Sequence, residues 1–353
     1  MRAKWLWLGL AVALQLLVLA WMAGEREWII RTGRTVWLRT APIDPRDLFR
    51  GDYVRLAYEA GSLPERQQSR KLQLAVAGLR GTRRELPLYV TLREPATPDG
   101  VAHAVAAGLE RPTAGLFLKG RWRPHGWPNA IQYGIESYFV EQGKGRALER
   151  GRPEGIPDDV QVPLEMRVAL GRDGTAVLTG HHRWGGMGIG LRIGAIPEAE
   201  KATAIVRPLQ VTFRNTSAQP QALLLPADLR TLRLVSSPNR WRGGEDEAEI
   251  PRAAPATPPP PFTDADVALL APGEARTVSI PLAEPAWRVV AGRGPEKKIV
   301  TLVDDAAAAY QSLRLRYEPP AAAECAAMKE RARLWPDRLD SRWFSTWELR
   351  PPR

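Results

Sequence analysis

Leu164-Glu165-Met166-Arg167-Val168-Ala169-Leu170, then Gly171-Arg172-Asp173-Gly174, then Thr175-Ala176-Val177-Leu178-Thr179: this stretch reads as a β-hairpin. Two largely apolar runs flank a link of Gly and Asp, residues that accept the tight backbone of a hairpin turn. A single antiparallel pair cannot bury a core, so more strands are required. They lie on both sides. N-terminal to the hairpin are residues 35–40 (TVWLRT), 53–59 (YVRLAYE), 88–93 (LYVTLR), 115–122 (GLFLKGRW) and 131–141 (IQYGIESYFVE), the last expected to bend at Gly134. In the second of these, Val54, Leu56 and Tyr58 share one face, and Tyr53, Arg55 and Ala57 the other. Residues 41–50 (APIDPRDLFR) hold two prolines and two aspartates and read as a loop, and 143–150 as a short charged helix. Residues 28–183 are therefore expected to form one β-rich domain.

C-terminal to the hairpin, residues 184–201 read as a linker. Its segment 185–190 (GGMGIG) lacks the preceding strand, following helix and Lys-Ser/Thr pair of a phosphate loop, so a flexible connector is expected. Residues 202–353 carry short strands at 204–213, 229–235, 267–270, 276–281 and 313–317, with turns such as Pro272-Gly273-Glu274. That pattern predicts an immunoglobulin-like β-sandwich. Residues 237–263 are rich in Pro, Ala and acids and read as a long exposed loop. The last forty residues, with Trp335, Trp343 and Trp347, read as an edge strand or a docked tail.

At the other end, residues 5–24 (WLWLGLAVALQLLVLAWMAG) contain no charge and only Gln15 as a strongly polar side chain. At about 1.5 Å per residue they span about 30 Å, a hydrocarbon core. Trp5, Trp7 and Trp21 sit near the ends, where indoles favour the interface. Arg2 and Lys4 precede the run and mixed charges follow it, so the positive-inside rule keeps the N-terminus in the cytoplasm and sends the rest across. Residues 1–27 are thus expected to be a cytoplasmic N-terminus and transmembrane anchor, with the lipid bilayer as partner of residues 5–24. The competing reading is a cleaved signal peptide, but the run is long for one and Trp21 and Met22 spoil the small-x-small site.

The chain has 353 residues and a net charge of +11, but its arginines are scattered and form no basic helix or tract, so no nucleic-acid partner is expected. Cys325 is the single cysteine and has no catalytic pattern around it.

The most specific motif is Gly51-Asp52-Tyr53-Val54-Arg55-Leu56-Ala57-Tyr58. With the lead-in Asp44-Pro45-Arg46-Asp47-Leu48-Phe49-Arg50, the later Tyr133-Gly134-Ile135-Glu136-Ser137-Tyr138-Phe139-Val140-Glu141-Gln142-Gly143-Lys144-Gly145 and the hairpin of 168–179, it resembles the bacterial GDYXXLXY family over residues 25–185. The resemblance implies a membrane-anchored protein of unknown biochemical function; with the charge pattern around residues 5–24, the expected place is the inner membrane of the cell envelope, with the C-terminal part periplasmic or otherwise outside the cytoplasm. The resemblance supplies no catalytic residues. The expected fold class is mainly β: one N-terminal transmembrane helix, a GDYXXLXY β-rich domain, then an immunoglobulin-like sandwich.

Residue by residue, Gly51 suits a tight entry from loop to strand, and Asp52 near Arg46 and Arg50 suits a turn cap or ion pair. Tyr53 and Tyr58 each suit a buried ring with a bonded hydroxyl. Asp44, Arg46, Asp47, Arg50, Gly51, Asp52, Tyr53 and Tyr58 form the candidate recognition loop. Tyr133, Gly134, Glu136, Tyr138, Glu141 and Lys144 form the facing segment, provided the fifth strand pairs with the second. Metal is not expected: His103, His125, His181 and His182 are not at ligand spacing, and arginines neighbour Asp44, Asp47 and Asp52. No catalytic residue and no cofactor is assigned. Three classes remain open: a non-catalytic module that recognises or helps assemble a membrane protein partner, an envelope hydrolase acting on wall polymer or peptide through carboxylates such as Asp52 and Glu136, and an adhesion or ligand-binding sandwich.

Overall fold

The computed structural model describes residues 2–41, 53–63, 67–79, 82–95, 100–124, 130–139, 148, 152–196, 205–237, 248–253, 259–291, 298–305, 308, 311–321 and 323–351. Among these the chain is mainly β behind one long N-terminal helix, α1 (Arg2–Thr32). Leu10, Leu14, Leu16, Leu17 and Leu19 on α1 are all exposed. Its stretch Trp7–Thr32 is long and apolar enough to cross a membrane, the property shared by membrane spans and signal sequences. The helix runs eight residues beyond the expected end at Gly24.

The described residues divide into two compact units. The first is built from residues within 1–41, 53–140 and 165–183, the second from residues within 141–164 and 184–353. The contiguous domain expected over 28–183 is therefore interrupted: the chain leaves the first unit before the hairpin and returns to it.

In the first unit, β1 (Arg34–Ala41), β2 (Tyr53–Arg55), β3 (Ala57–Tyr58), β4 (Leu86–Arg93), β5 (His103–Gly108), β6 (Leu116–Trp122), β7 (Ile131–Gln132) and β8 (Ser137–Phe139) come first. The helix α2 (Arg70–Leu79) and strand β5 were not foreseen. After β9 (Val160–Gln161), which belongs to the second unit, follow β10 (Leu164–Leu170) and β11 (Ala176–Trp184), the expected hairpin. One sheet has the order β11-β10-β1-β3, another β5-β4-β6-β7, and among the described residues β2 pairs with β8 alone. Alternation fills the core: β1 buries Val36 and Leu38, β4 buries Leu88 and Val90, and β10 buries Met166 and Val168. The two four-stranded sheets are tied by the Ala102 N–H donating to the Trp37 carbonyl at 2.9 Å and the Lys119 N–H to Gly174 at 2.8 Å.

The second unit contains β12 (Met187–Ile193), β13 (Leu209–Asn215), β14 (Gln221–Leu224), β15 (Leu232–Ser237), β16 (Ala248–Glu249), β17 (Val267–Leu270), β18 (Ala275–Ile280), β19 (Val289–Ala291), β20 (Lys298–Val300), β21 (Ser312–Tyr317) and β22 (Leu339–Asp340), with a final short helix α3 (Thr346–Leu349). Its sheets run β18-β13-β12-β9 and β16-β15-β21-β22, with β14-β17 and β19-β20 as separate pairs. Met187, Ile189, Leu191, Val211 and Phe213 of the first sheet and Leu232, Leu234, Leu313, Leu315 and Tyr317 of the second share one buried core. The expectation of a flexible linker over 184–201 is corrected here. β12 is an interior strand, paired with β13 from Met187↔Asn215 to Ile193↔Leu209 and with β9 on its other side. The tail does include an edge strand, β22, and Trp335 is buried while Trp347 is exposed. Of the expected loop 237–263, residues 238–247 and 254–258 lie outside the described residues, and Ala248–Glu249 forms a strand.

Candidate functional site

The motif strand does not run straight. β2 and β3 are separated at Leu56, whose N–H donates to the Glu136 carbonyl at 2.8 Å. β2 pairs antiparallel with β8 in the register Tyr53↔Phe139, Val54↔Tyr138 and Arg55↔Ser137. The fifth predicted strand thus does pair with the second, and it breaks into β7 and β8 at Gly134, where φ is +81°. This sets the two candidate stretches side by side. Asp44, Arg46, Asp47, Arg50, Gly51 and Asp52, together with Glu141 and Lys144, lie outside the described residues, as does most of the helix expected over 143–150.

Where the remaining candidates lie, their polar groups are committed to backbone. The Tyr58 hydroxyl donates to the Ile135 carbonyl at 3.1 Å, and the ring is buried. The Tyr133 hydroxyl donates to the Ala60 carbonyl, also in the core. The Glu136 carboxylate accepts the N–H of Tyr133 through one oxygen and that of Gly134, at 2.9 Å, through the other. It caps the turn that the left-handed Gly134 makes possible. Gly120 lies close opposite: a Cβ there would stand 3.0 Å from the Tyr133 ring, a tight contact. Burial, then the nearby Glu136 charge, holds both the Tyr58 and Tyr133 hydroxyls well above the ordinary tyrosine range. Neither is a source of phenolate at neutral pH. Val54, Leu56 and Ala57 are buried and Arg55 is exposed. Ala57 therefore departs from the expected alternation, because β3 is offset from β2 by the break at Leu56. Of Tyr53 only the backbone is described.

Tyr138 makes a backbone bond too, but also meets a side chain. Its hydroxyl donates to the Gly180 carbonyl at 2.8 Å and lies 3.2 Å from His182 Nδ1, with the two rings edge to face at 5.7 Å. Burial pushes the Tyr138 hydroxyl up, while burial and then the His181 charge push the His182 imidazole down. His182 is exposed, so the pair lies at the surface. Among the described residues, no group of three or more His, Cys, Asp or Glu side chains is placed to hold a metal ion.

Residues 15–180 match the family model described as GDYXXLXY protein. Over that stretch the chain is similar to the GDYXXLXY family. No curated protein and no solved structure matches the chain. For the GDYXXLXY region the geometry gives the signature a physical meaning. The Tyr58 and Tyr133 hydroxyls and the Glu136 carbonyl and carboxylate fasten β2 and β3 to the turn at 133–136.

One buried group in the GDYXXLXY region was missed from sequence. Arg39 and Glu165 stand directly opposite in the β1–β10 register, and the Arg39 guanidinium donates to the Glu165 carboxylate at 2.9 Å in the core. Arg183 reaches the other carboxylate oxygen at 2.7 Å, with its guanidinium 4.2 Å above the Trp37 ring. The available signal was a lone acid and a lone base at facing positions of two apolar strands, visible once the register is known.

Proposed function

We propose that this chain is a membrane-anchored envelope protein whose GDYXXLXY unit recognises or helps assemble a membrane protein partner without catalysis. In this reading α1 spans the cytoplasmic membrane with its N-terminus inside, and both units stand in the periplasm. The α1 surface supports it: apolar side chains point outward all round the helix, as lipid and not water would favour. The observation that carries the recognition role is the β2–β8 pairing. In an antiparallel pair the chain enters β2 at Tyr53 and leaves β8 at Phe139 on the same end. Among the described residues the pair is two-stranded, and Phe139 on β8 is 79% exposed. An exposed aromatic next to a strand edge suits a protein partner. The hydrolase reading has less support, because the Glu136 carboxylate is spent on two backbone N–H groups.

The test is pull-down from detergent-solubilised native membranes, with the wild type and with Arg50→Ala/Asp52→Ala as baits. Loss of a co-purifying membrane protein by a normally folded double variant is expected. Equal recovery with both baits removes the loop as the recognition site.

For the second unit we propose the immunoglobulin-like sandwich. What supports it is strand order: β12-β13-β18 follows the A-B-E pattern and β16-β15-β21-β22 the C′-C-F-G pattern, with one shared core. A solved structure with the two sheets unstacked would replace this reading.

A further inference from the structure

We propose that the end of the first unit formed by the 171–174 turn and the 109–115 loop rests on lipid head groups, with Arg111 and Arg172 contacting lipid phosphates. The inference rests on the anchoring reading above. Its starting point is that no spacer separates helix from fold. α1 ends at Thr32 and β1 begins at Arg34. The Gly33 N–H closes the last turn on the Ile29 carbonyl at 2.7 Å, and a Cβ on Gly33 would stand 2.8 Å from the Leu170 carbonyl oxygen. Ile29 is itself buried with Ala169 and Val177 of the hairpin. The helix end is therefore packed into the fold.

Height follows from helix geometry. Ile29 is five residues past Gly24, where the uncharged run ends, so it stands about 7.5 Å beyond the hydrocarbon at about 1.5 Å per residue. The interfacial layer is about 5–7.5 Å thick on each side. Helix tilt only lowers Ile29 further toward the lipid. The residues touching Ile29 therefore lie at the level of the head groups, and a Cβ on Gly171, at the turn, would be 3.3 Å from the Ile29 side chain. Trp28, 69% exposed one residue earlier, suits the same layer.

The chemistry of this end fits phosphate. Arg172 is exposed at the tip of the turn. Arg111 is exposed beside it and donates to the Arg172 carbonyl at 2.7 Å, a bond that leaves its charge uncancelled. The neighbouring acids are engaged: Asp173 by Thr175 at 2.7 Å and Lys119 at 3.3 Å, Glu27 by Arg31 at 2.6 Å. Guanidinium groups bind phosphate oxygens in a fork that ammonium groups cannot reproduce. The motif end of the unit is remote by comparison. β1 travels six residues from Arg34 to Thr40, which pairs with Tyr58, a distance of about 20 Å at about 3.3 Å per residue.

The experiment uses the full chain with Cys325→Ala, in nanodiscs containing anionic phospholipid. A bimane label is placed in turn at Leu14→Cys, Thr113→Cys and Arg55→Cys. Quenching is read with nitroxide either on the lipid head group or deep in the acyl chain. The expected result is acyl-chain quenching at position 14 and at least threefold more head-group quenching at 113 than at 55. Head-group quenching at 113 is also expected to fall at least twofold in Arg111→Glu/Arg172→Glu and to persist in Arg111→Lys/Arg172→Lys. If position 14 is quenched but 113 behaves like 55, or ignores the charge reversal, the phosphate contact is overturned while the anchor stands. If position 14 is not quenched, the anchor falls and this inference with it.

Discussion

A buried phenol is useful to a small β-structure because its ring fills volume while its hydroxyl satisfies a carbonyl that no strand reaches. Tyr58 and Tyr133 do this for Ile135 and Ala60, residues 77 and 73 positions away in sequence. Burial of Tyr58 was readable from the alternation of 53–58. Its acceptor was not, because a long-range partner leaves no local pattern. Tyr133→Phe is expected to cost about 1–3 kcal/mol, since it leaves the Ala60 carbonyl buried and unbonded, measured as a shift in urea midpoint. The raised tyrosine pKa values also set a pH dependence. The unfolded chain ionises its tyrosines near about pH 10, while the folded one resists. Stability is therefore full below that pH and falls as pH rises above it, and Tyr133→Phe should flatten the decline. Carbonate extraction of membranes, done at such pH, would meet a weakened first unit. Asp340 in the second unit shows the opposite sign. Burial raises its pKa, but the charges of Arg314, Arg316 and Arg338 outweigh this and hold it well below the usual carboxylate range. Arg314 lies 3.0 Å and Arg316 2.6 Å away. Its contribution is present above about pH 4 and is lost as pH falls below it. Asp340→Asn should cost about 3–5 kcal/mol at neutral pH and show less acid dependence than the wild type.

Glycine decides several elements, and in two different ways. Gly134 and Gly174 both adopt left-handed backbone, with φ of +81° and +87°. A Cβ at Gly134 meets open space, whereas at Gly174 it would stand 2.7 Å from the Phe117 ring. Gly134→Ala should therefore cost only the backbone term, about 1–2 kcal/mol, and Gly174→Ala that term plus about 1–3 kcal/mol of overpacking. Thermal melts of the two variants side by side test the ordering; equal losses would mean the ring moves aside freely. Gly188 and Gly190 belong to the second kind. A Cβ at Gly188 would lie 2.8 Å from Val160, so glycine here admits the close approach of β9. That is why GGMGIG was misread. Without knowledge of the neighbour, a glycine that makes room looks the same as one that confers flexibility. The hairpin at 171–174 was legible because its glycine serves a local turn, with Gly174 N–H bonded to the Gly171 carbonyl at 2.9 Å. α2 was overlooked although Ser69 accepts the Leu72 N–H at 3.3 Å as an N-cap, because only Leu72 on that helix is buried and its apolar signal is thin.

At the scale of the molecule, strand identities were legible, but their assignment to units was not. Composition shifts near 184 suggest a boundary there, and the contacts do change unit at 183/184, but they also change at 140/141 and at 164/165, where the sequence shows no break. β9 lies before the hairpin in sequence, yet its partner β12 lies after it. The two units therefore interleave along the chain, and a cut at 183 divides the second unit. Residues 25–183 expressed alone would carry Val160 and Val162, buried in the full chain, with β12 missing. We expect that fragment to aggregate. Replacing its residues 140–163 with a short Gly/Ser bridge removes the orphaned strand and keeps the strand pairing of the first unit, including the β1–β10 register from Arg34↔Leu170 to Arg39↔Glu165. The bridged fragment should be monomeric and show a single cooperative melt, while the unbridged one elutes in the void volume of a sizing column. If both behave alike, β9 and β12 contribute little to each other, and the boundary inferred from sequence at 183 is the better description.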